Sequence, residues 1–322
     1  MAYLSLKSLA TLSRTKLSAL LVIAVMIVVP PLLRDPYITH ILTLGSIYAI
    51  FAMSWDILMY TNQLSLGHSF FFGLAAYLTA LLNSTYKVHP VLSVLVGVAV
   101  TGVVGLGLSI PFFKLRGAYY ALAMAGLAEI ATLTVKAYSD VTGGEEGIRG
   151  ITPFTVDYLG NYYIALGVML ASLIFLYYIA ERSRFSLIFK AVRDDEVAAK
   201  SLGIVVHRYR LMCLVLGASF SGLGGALYAT YLTIVNPNVL AIVPTTALVV
   251  TMGMVGGVHT IIGPALGAYI IIFLNTFFRI AENIRLLAYG LTATLILLFL
   301  PGGIIKYLSK AVDYLSKAWR SK

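Results

Sequence analysis

Long apolar runs follow one another almost without interruption along the 322 residues of this chain. A helix needs roughly 20 apolar residues to cross the hydrocarbon of a bilayer, and ten such runs can be drawn, at 17–33, 38–60, 64–82, 90–113, 117–136, 161–180, 210–232, 243–258, 260–280 and 286–304. Backbone groups inside a bilayer find no water, so spanning segments are helices or closed barrels. Runs of this length argue for helices. The expected fold class is all-α: a polytopic integral membrane helical bundle of about ten transmembrane helices, forming one transmembrane domain over 1–322.

Composition agrees. Hydrophobic residues make up 60% of the chain and charged ones 11%, whereas a soluble domain carries roughly 25% charged residues. The spans leave no room for a separate catalytic domain. A single cysteine, Cys213, excludes an internal disulfide and any Cys-clustered metal site. No Gly-Lys pair occurs, so the phosphate-cradling loop of nucleotide hydrolases is absent, as is the H-E-x-x-H zinc motif. The first run lacks a small-x-small cleavage site and reads as a retained span.

The net charge of +10 would suggest nucleic acid in a soluble protein, but its distribution gives a topology instead. With the N-terminus inside, the basic residues gather in 1–16, 114–116, 181–210 and 305–322, and only Arg34, Lys87, Lys136, Arg149, Arg279 and Arg285 fall near the other face. Positive charge is retained on the cytoplasmic side, so both termini are expected to be cytoplasmic. The segment 137–160 becomes an acidic, glycine-rich extracytoplasmic loop and 181–209 the largest cytoplasmic loop. In 305–322, Ile305, Leu308, Val312, Leu315 and Trp319 recur at helical spacing among basic residues, which predicts an amphipathic cytoplasmic tail lying on the inner leaflet.

Several polar residues interrupt the apolar runs. Asp56 and Glu129 fall well inside spans, where an ionisable group is costly enough to face a cavity or a partner. Lys136 lies seven residues after Glu129 on the same helical face and is its candidate partner, directly or through Thr132; Asp56 has no evident partner. Gln63, Ser65 and His68 occupy one polar interruption and His259 another, with Gly67-His68 and Val258-His259 as a loose internal repeat. Asp56, Gln63, Ser65, His68, Glu129 and His259 are therefore the candidates for a translocation path. Two lone histidines do not make a metal site, and neither a metal nor a catalytic residue is expected.

The cytoplasmic loop carries Ile188, Ala191, Val192, Val197, Ala198, Ala199 and Leu202 at helical spacing, closed by Gly203 as a helix stop. An amphipathic helix between two spans is expected to bury that side in a partner's groove. Here the chain resembles a known family. Glu196-Val-Ala-Ala-Lys-Ser-Leu-Gly203 is similar to the Glu-Ala-Ala-x-x-x-Gly motif by which permease subunits of ABC importers dock on their ATPases, with the Glu one residue early.

The resemblance widens to the branched-chain amino-acid ABC transporter permeases, M-type subunit. It is carried by Gln63-Leu-Ser-Leu-Gly-His-Ser-Phe-Phe-Phe-Gly-Leu-Ala-Ala-Tyr77, by Leu115-Arg-Gly-Ala-Tyr-Tyr-Ala-Leu122 with Glu129, and by Thr142-Gly-Gly-Glu-Glu-Gly-Ile148. Ala191 through Ile204, Gly256-Gly257 through Gly263-Pro264, and Pro301-Gly-Gly-Ile304 continue it in order. Asp56, Thr61, Ala118 and Met254-Val-Gly-Gly-Val-His-Thr260 depart from the family wording, which bears on the substrate.

The resemblance implies a transport subunit without enzyme activity in the plasma membrane. Its expected partners are a homologous second permease, two cytoplasmic ABC ATPases that use ATP and Mg, an extracytoplasmic substrate-binding protein and membrane lipid, but no nucleic acid. The chain itself would bind no cofactor. Arg193, Asp194, Asp195, Glu196, Ala198, Ala199 and Gly203 become the candidates for ATPase coupling. The implied cargo is a branched-chain or related small amino acid; urea or short amides remain open. The rival class is a carrier driven by an ion gradient, with Asp56 and Glu129 as coupling acids.

Overall fold

Asp35 and Pro36 start the first long helix. Asp35 is extended and its carboxylate accepts the N–H of Tyr37 at 2.8 Å, while Pro36 fixes φ where no donor is needed. The resulting helix α1 (Pro36–Met59) is apolar all round, and 83% of its most apolar stretch is buried. A helix with no polar face belongs in the middle of a bundle. The computed structural model places it there, against α5 (Tyr158–Tyr177), α8 (Val206–Leu232), α9 (Ala247–Gly256) and α10 (Ile262–Phe277). Helix α2 (Ser69–Ala80) and helix α3 (Pro90–Phe112) flank α8, and α4 (Ala118–Ala137) lies at the edge; α3 and α4 bury only 28% of the corresponding stretch.

The structure describes residues 35–112 and 114–277, together with 26–28, 30–32, 290–291, 294–295, 298 and 302–307. Most of the expected first and last spans and of the amphipathic tail lies outside the described residues. Within them, α1, α3, α4, α8 and Tyr158–Arg182 are long and apolar enough to cross a membrane. Small residues set the closest approaches: on the α3–α8 seam Gly102 faces Ser219 and Gly105 faces Ala218.

Two expected spans are not continuous α-helices. The 64–82 run holds an extended stretch followed by α2, which ends in the π-turn Leu81–Thr85. The 243–258 run is entered through the strand Ile234–Val235, the 3₁₀ turn Pro237–Val239 and the π-turn Ile242–Thr246. Non-helical backbone at membrane depth is tolerated only where protein satisfies it, and it is satisfied here. Trp55 Nε1 donates to the carbonyl of Ser65 at 3.0 Å, Phe70 N–H to that of Gly67 at 3.0 Å, and Ser221 Oγ to that of His68 at 3.4 Å. Gly67 and Gly225 are required by close packing, because a Cβ on either would enter the backbone of Met124 or Phe72 respectively.

Of the basic segments, the described 114–116 and 181–210 come together at one end of the bundle, the end that the positive-inside rule assigns to the cytoplasm. There Asn62 Nδ2 donates to the Arg193 carbonyl at 2.7 Å, Arg116 reaches Glu196 at 3.4 Å, and Tyr60 donates to Glu181 at 2.6 Å. At the opposite end the glycine-rich loop is tied down by β1 (Ile148–Arg149), antiparallel to β2 (Ile234–Val235) with Ile148 opposite Val235. Gly147, at φ +74°, lies against the backbone of Val235. The glycine-rich loop is thus anchored to the segment that leads into α9.

Candidate functional site: a broken-span junction and a basic-end loop

The extended stretch brings Gln63, Ser65 and His68 into the interior in sequence. Gln63 stays near the basic end, its Nε2 donating to Thr61 Oγ1 at 2.7 Å and to the Arg210 carbonyl at 3.0 Å. His68 goes deeper. Its ring stacks on Phe51 at 5.5 Å and 11°, with Nε2 2.9 Å from Ser54 Oγ, so it lies about 10 Å along α1 from the basic end at 1.5 Å per residue. Ser65 Oγ and His68 Nδ1 are buried without a hydrogen-bond partner.

At this depth the two broken spans meet. Ser69, the first residue of α2, donates its N–H to Thr246 Oγ1 at 3.1 Å; the two hydroxyls are 2.8 Å apart, and Ser69 Oγ donates to the Leu240 carbonyl at 2.6 Å. Neither Thr246 nor Leu240 is among the path candidates that the sequence suggests. Pro237, Pro244 and the Thr245-Thr246 pair were the available signal, since proline and hydroxyl residues inside an apolar run mark a break.

Asp56 has partners after all. One carboxylate oxygen accepts the N–H of His259 at 2.7 Å and the other accepts those of Thr260 at 3.1 Å and Ile261 at 3.0 Å. These three donors belong to the Gly/Pro-rich turn between α9 and α10, where His259 and Ile261 hold φ of +64° and +53°. His259 Nε2 lies 3.1 Å from the Met59 carbonyl. Asp56 and His259 are therefore brought together, but to close a turn at the basic end. His68 and His259 occupy unlike environments, so the loose sequence repeat does not give equivalent positions.

Glu129 stands apart. It lies on the exposed face of α4 with Tyr119, Leu122, Ile130 and Leu133, while Tyr120, Met124, Ala128 and Thr132 face inward. The expected pair with Lys136 does not form. Lys136 binds Glu145 in the glycine-rich loop at 3.3 Å, and Glu129 has no described partner.

The basic-end loop is built from α6 (Arg184–Asp194) and α7 (Glu196–Ser201). Ser183 caps α6, and Asp195 caps α7 by accepting the N–H groups of Val197 at 2.8 Å and Ala198 at 3.0 Å. Gly203, at φ +80°, follows the end of α7. The expectation that the apolar side of this loop lacks cover is corrected: Val192, Ala199 and Val206 pack on one another, with Ile188 and Ile204 beside them. Ala199 points into this small core and is 2% exposed. Ala198 and Gly203 remain exposed.

The polar candidates divide likewise. Glu196 is held by Lys200 at 2.7 Å, Arg210 at 3.0 Å and Arg116 at 3.4 Å, so it clamps α7 to the neighbouring turn and to α8. Partial burial pushes its pKa up, but the hydrogen bond from Lys200 and the charges of Arg210 and Arg116 outweigh that and hold the carboxyl below its ordinary value. Asp195 is used as a cap, and Arg193 pairs with Asp194 at 3.2 Å. What the loop presents outward is apolar: Leu187 is 77%, Val197 71% and Leu202 80% exposed.

Known proteins resemble this chain along most of its length. The family model described as branched-chain amino acid transport system, permease component, matches residues 37–300. The chain is 26% identical over 318 residues to the high-affinity branched-chain amino acid transport system permease protein LivM of Escherichia coli K12, covering 90% of this chain and 74% of that protein. The Salmonella typhimurium LivM protein gives the same values. A probable branched-chain amino acid transport permease protein LivH of Methanocaldococcus jannaschii is 24% identical over 263 residues, 74% of this chain and 80% of that one. No solved structure matches. The family match covers most of the chain and contains both the broken span at Ser69 and the α6–α7 loop; this chain belongs to the branched-chain amino acid ABC transporter permease family.

Proposed function

We propose that this chain is a membrane-spanning subunit of an ATP-driven importer in the plasma membrane. It moves branched-chain or related small amino acids delivered by an extracytoplasmic binding protein, together with a homologous second permease. Two cytoplasmic ABC ATPases supply the energy and bind ATP and Mg, since this chain contains no Gly-Lys phosphate loop.

The observation that carries this reading is the outward apolar face of the α6–α7 loop. Leu187, Val197 and Leu202 stand exposed on a segment that already has its own core, so their exposure is not a failure to fold. Apolar side chains of a short helix held outward at the cytoplasmic end suit an ATPase groove. Rigid seating follows from Glu196, whose three cations tie α7 to the turn before α4 and to α8. A push on the loop then reaches α8, which runs the length of the bundle beside α1 and α2.

The path for the cargo is proposed between this chain and its homologue. Glu129 lies near the middle of an exposed face of α4, and a carboxylate facing hydrocarbon is costly enough to require polar cover. The second permease provides that cover, with α4 as a wall of the path. The outer acids Asp140, Glu145 and Glu146, exposed on the anchored loop, face the binding protein. An ion-gradient carrier is less well supported, because both oxygens of Asp56 are already used as acceptors.

Co-purification of the chain with its ATPases, and identification of the ligand on the binding protein, test the proposal. Leu202→Asp should lower ATPase recruitment and ATP-dependent uptake by about tenfold or more, as for loss of an anchor residue, with the fold intact. Full recruitment in this variant would overturn the docking assignment, and a urea or amide ligand would overturn the amino-acid assignment alone.

A further inference from the structure

At the basic end, between the turn joining α3 to α4 and the start of α8, lies a cavity of about 500 Å³. Its charged wall carries Lys114, Arg116, Lys200 and Arg210 against the single acid Glu196. Glu196 is already shared by three of these cations, and Lys114 has no acid partner among the described residues. The cavity thus holds an excess of positive charge that its own side chains do not neutralise.

Two buried donors point to the same deficit. Tyr120 is 3% exposed and lines the cavity, yet its hydroxyl has no hydrogen-bond partner; Arg210 Nε is also buried and unpartnered. Buried polar groups are nearly always paired. Arg210 Nε can only donate and the Tyr120 hydroxyl can donate, so one acceptor would serve both, and the surrounding cations favour an anion there. The rest of the lining includes the apolar Phe112, Leu115, Leu211 and Leu214. Their position at the basic ends of α3, α4 and α8 is the level of lipid headgroups, where basic pockets between spans bind anionic heads.

We propose that this cavity binds the phosphate group of an anionic membrane lipid of the cytoplasmic leaflet. Tyr120 and Arg210 donate to phosphate oxygens, Lys114 and Arg116 balance the charge, and an acyl chain leaves along Phe112, Leu115 and Leu211. The occupant adjoins the Glu196 cluster, so it joins α7, α8 and the turn before α4 into one unit. The proposal does not depend on which substrate the chain carries.

The test uses the delipidated full-length chain titrated with short-chain phosphatidylglycerol and phosphatidylcholine, and separately with inorganic phosphate and glycerol 3-phosphate, read by native mass spectrometry and thermal shift. Phosphatidylglycerol should bind saturably at one site and at least about tenfold more tightly than phosphatidylcholine, with salt weakening it. Tyr120→Phe should weaken it about tenfold, as expected for losing one hydrogen bond to a charged group. Lys114→Gln, at an exposed position where the fold is not at stake, should weaken it about fivefold. Equal binding of the two lipids, or wild-type affinity in Lys114→Gln, would overturn the proposal. Inorganic phosphate or glycerol 3-phosphate binding as tightly as phosphatidylglycerol would overturn the lipid assignment in favour of a soluble phosphate.

Discussion

Asp56 and Glu129 are both acids within apolar helices, and the structure uses them in opposite ways. Asp56 is 0% exposed and accepts three backbone N–H groups from the turn at His259, Thr260 and Ile261. Glu129 lies on the outer face of α4, with no described partner. The first is a fastener between the central helix α1 and the α9–α10 turn. The second is a polar group offered outward by α4, which with α3 is the least buried of the described long helices. An intramembrane acid therefore marks a need for partners, and its neighbours decide whether those lie within the chain or beyond it.

Removing the fastener should have the largest effect. Asp56→Ala leaves three N–H groups without acceptors, at about 1–3 kcal/mol for each unsatisfied group, so the folded yield and unfolding temperature should fall sharply. A variant as stable as wild type would dissolve the contrast between the two acids. Gly67→Ala comes next. Its Cβ would collide with the α4 backbone at Met124, and overpacking of about 1–3 kcal/mol should loosen α4 selectively, seen as faster hydrogen exchange in 118–137 than in α1.

Glu129→Gln should change stability by no more than about 0.5 kcal/mol, as surface substitutions do, while uptake by the assembled complex falls. A stability loss as large as that of Asp56→Ala would show that Glu129 is also an internal fastener. The smallest effect concerns pH at the basic end. The folded-state pKa of Glu196 is lowered, so its clamp contributes fully above the ordinary Glu value of about 4.3 and is lost as pH falls through the depressed value. Exchange protection of α7 should hold from neutrality down to about pH 5 and fall below about pH 4. Loss of protection between pH 6 and 7 would contradict the clamp.

Much of this arrangement was legible in order but not in role. The polar stretch Gln63–His68 announced an interruption, whereas the run from 243 read as a plain apolar span although Pro244 and Thr245-Thr246 were there to mark a break. That Ser69 and Thr246 would meet, with hydroxyls 2.8 Å apart, depends on two segments far apart in sequence packing at one depth. The basic-end loop shows the same limit. Helical spacing identified its apolar residues, yet spacing alone did not separate Ala199, which faces Val192 and Val206, from Val197 and Leu202, which face outward. Nor did it show that Glu196 is an internal clamp.

By itself, the sequence determined that the chain is a polytopic helical membrane protein, and it carried the motifs of its family in order. Span length, hydropathy and loop charge act locally against the bilayer, so they can be read residue by residue. Only the tertiary structure decided which polar groups are satisfied inside the bundle and which are left facing out: Asp56 against Glu129, Ala199 against Leu202, and Lys136 with Glu145 instead of Glu129. Hydrogen bonds and ion pairs act over about 3 Å, and the chain's path through the membrane, rather than distance along the sequence, sets which groups come that close.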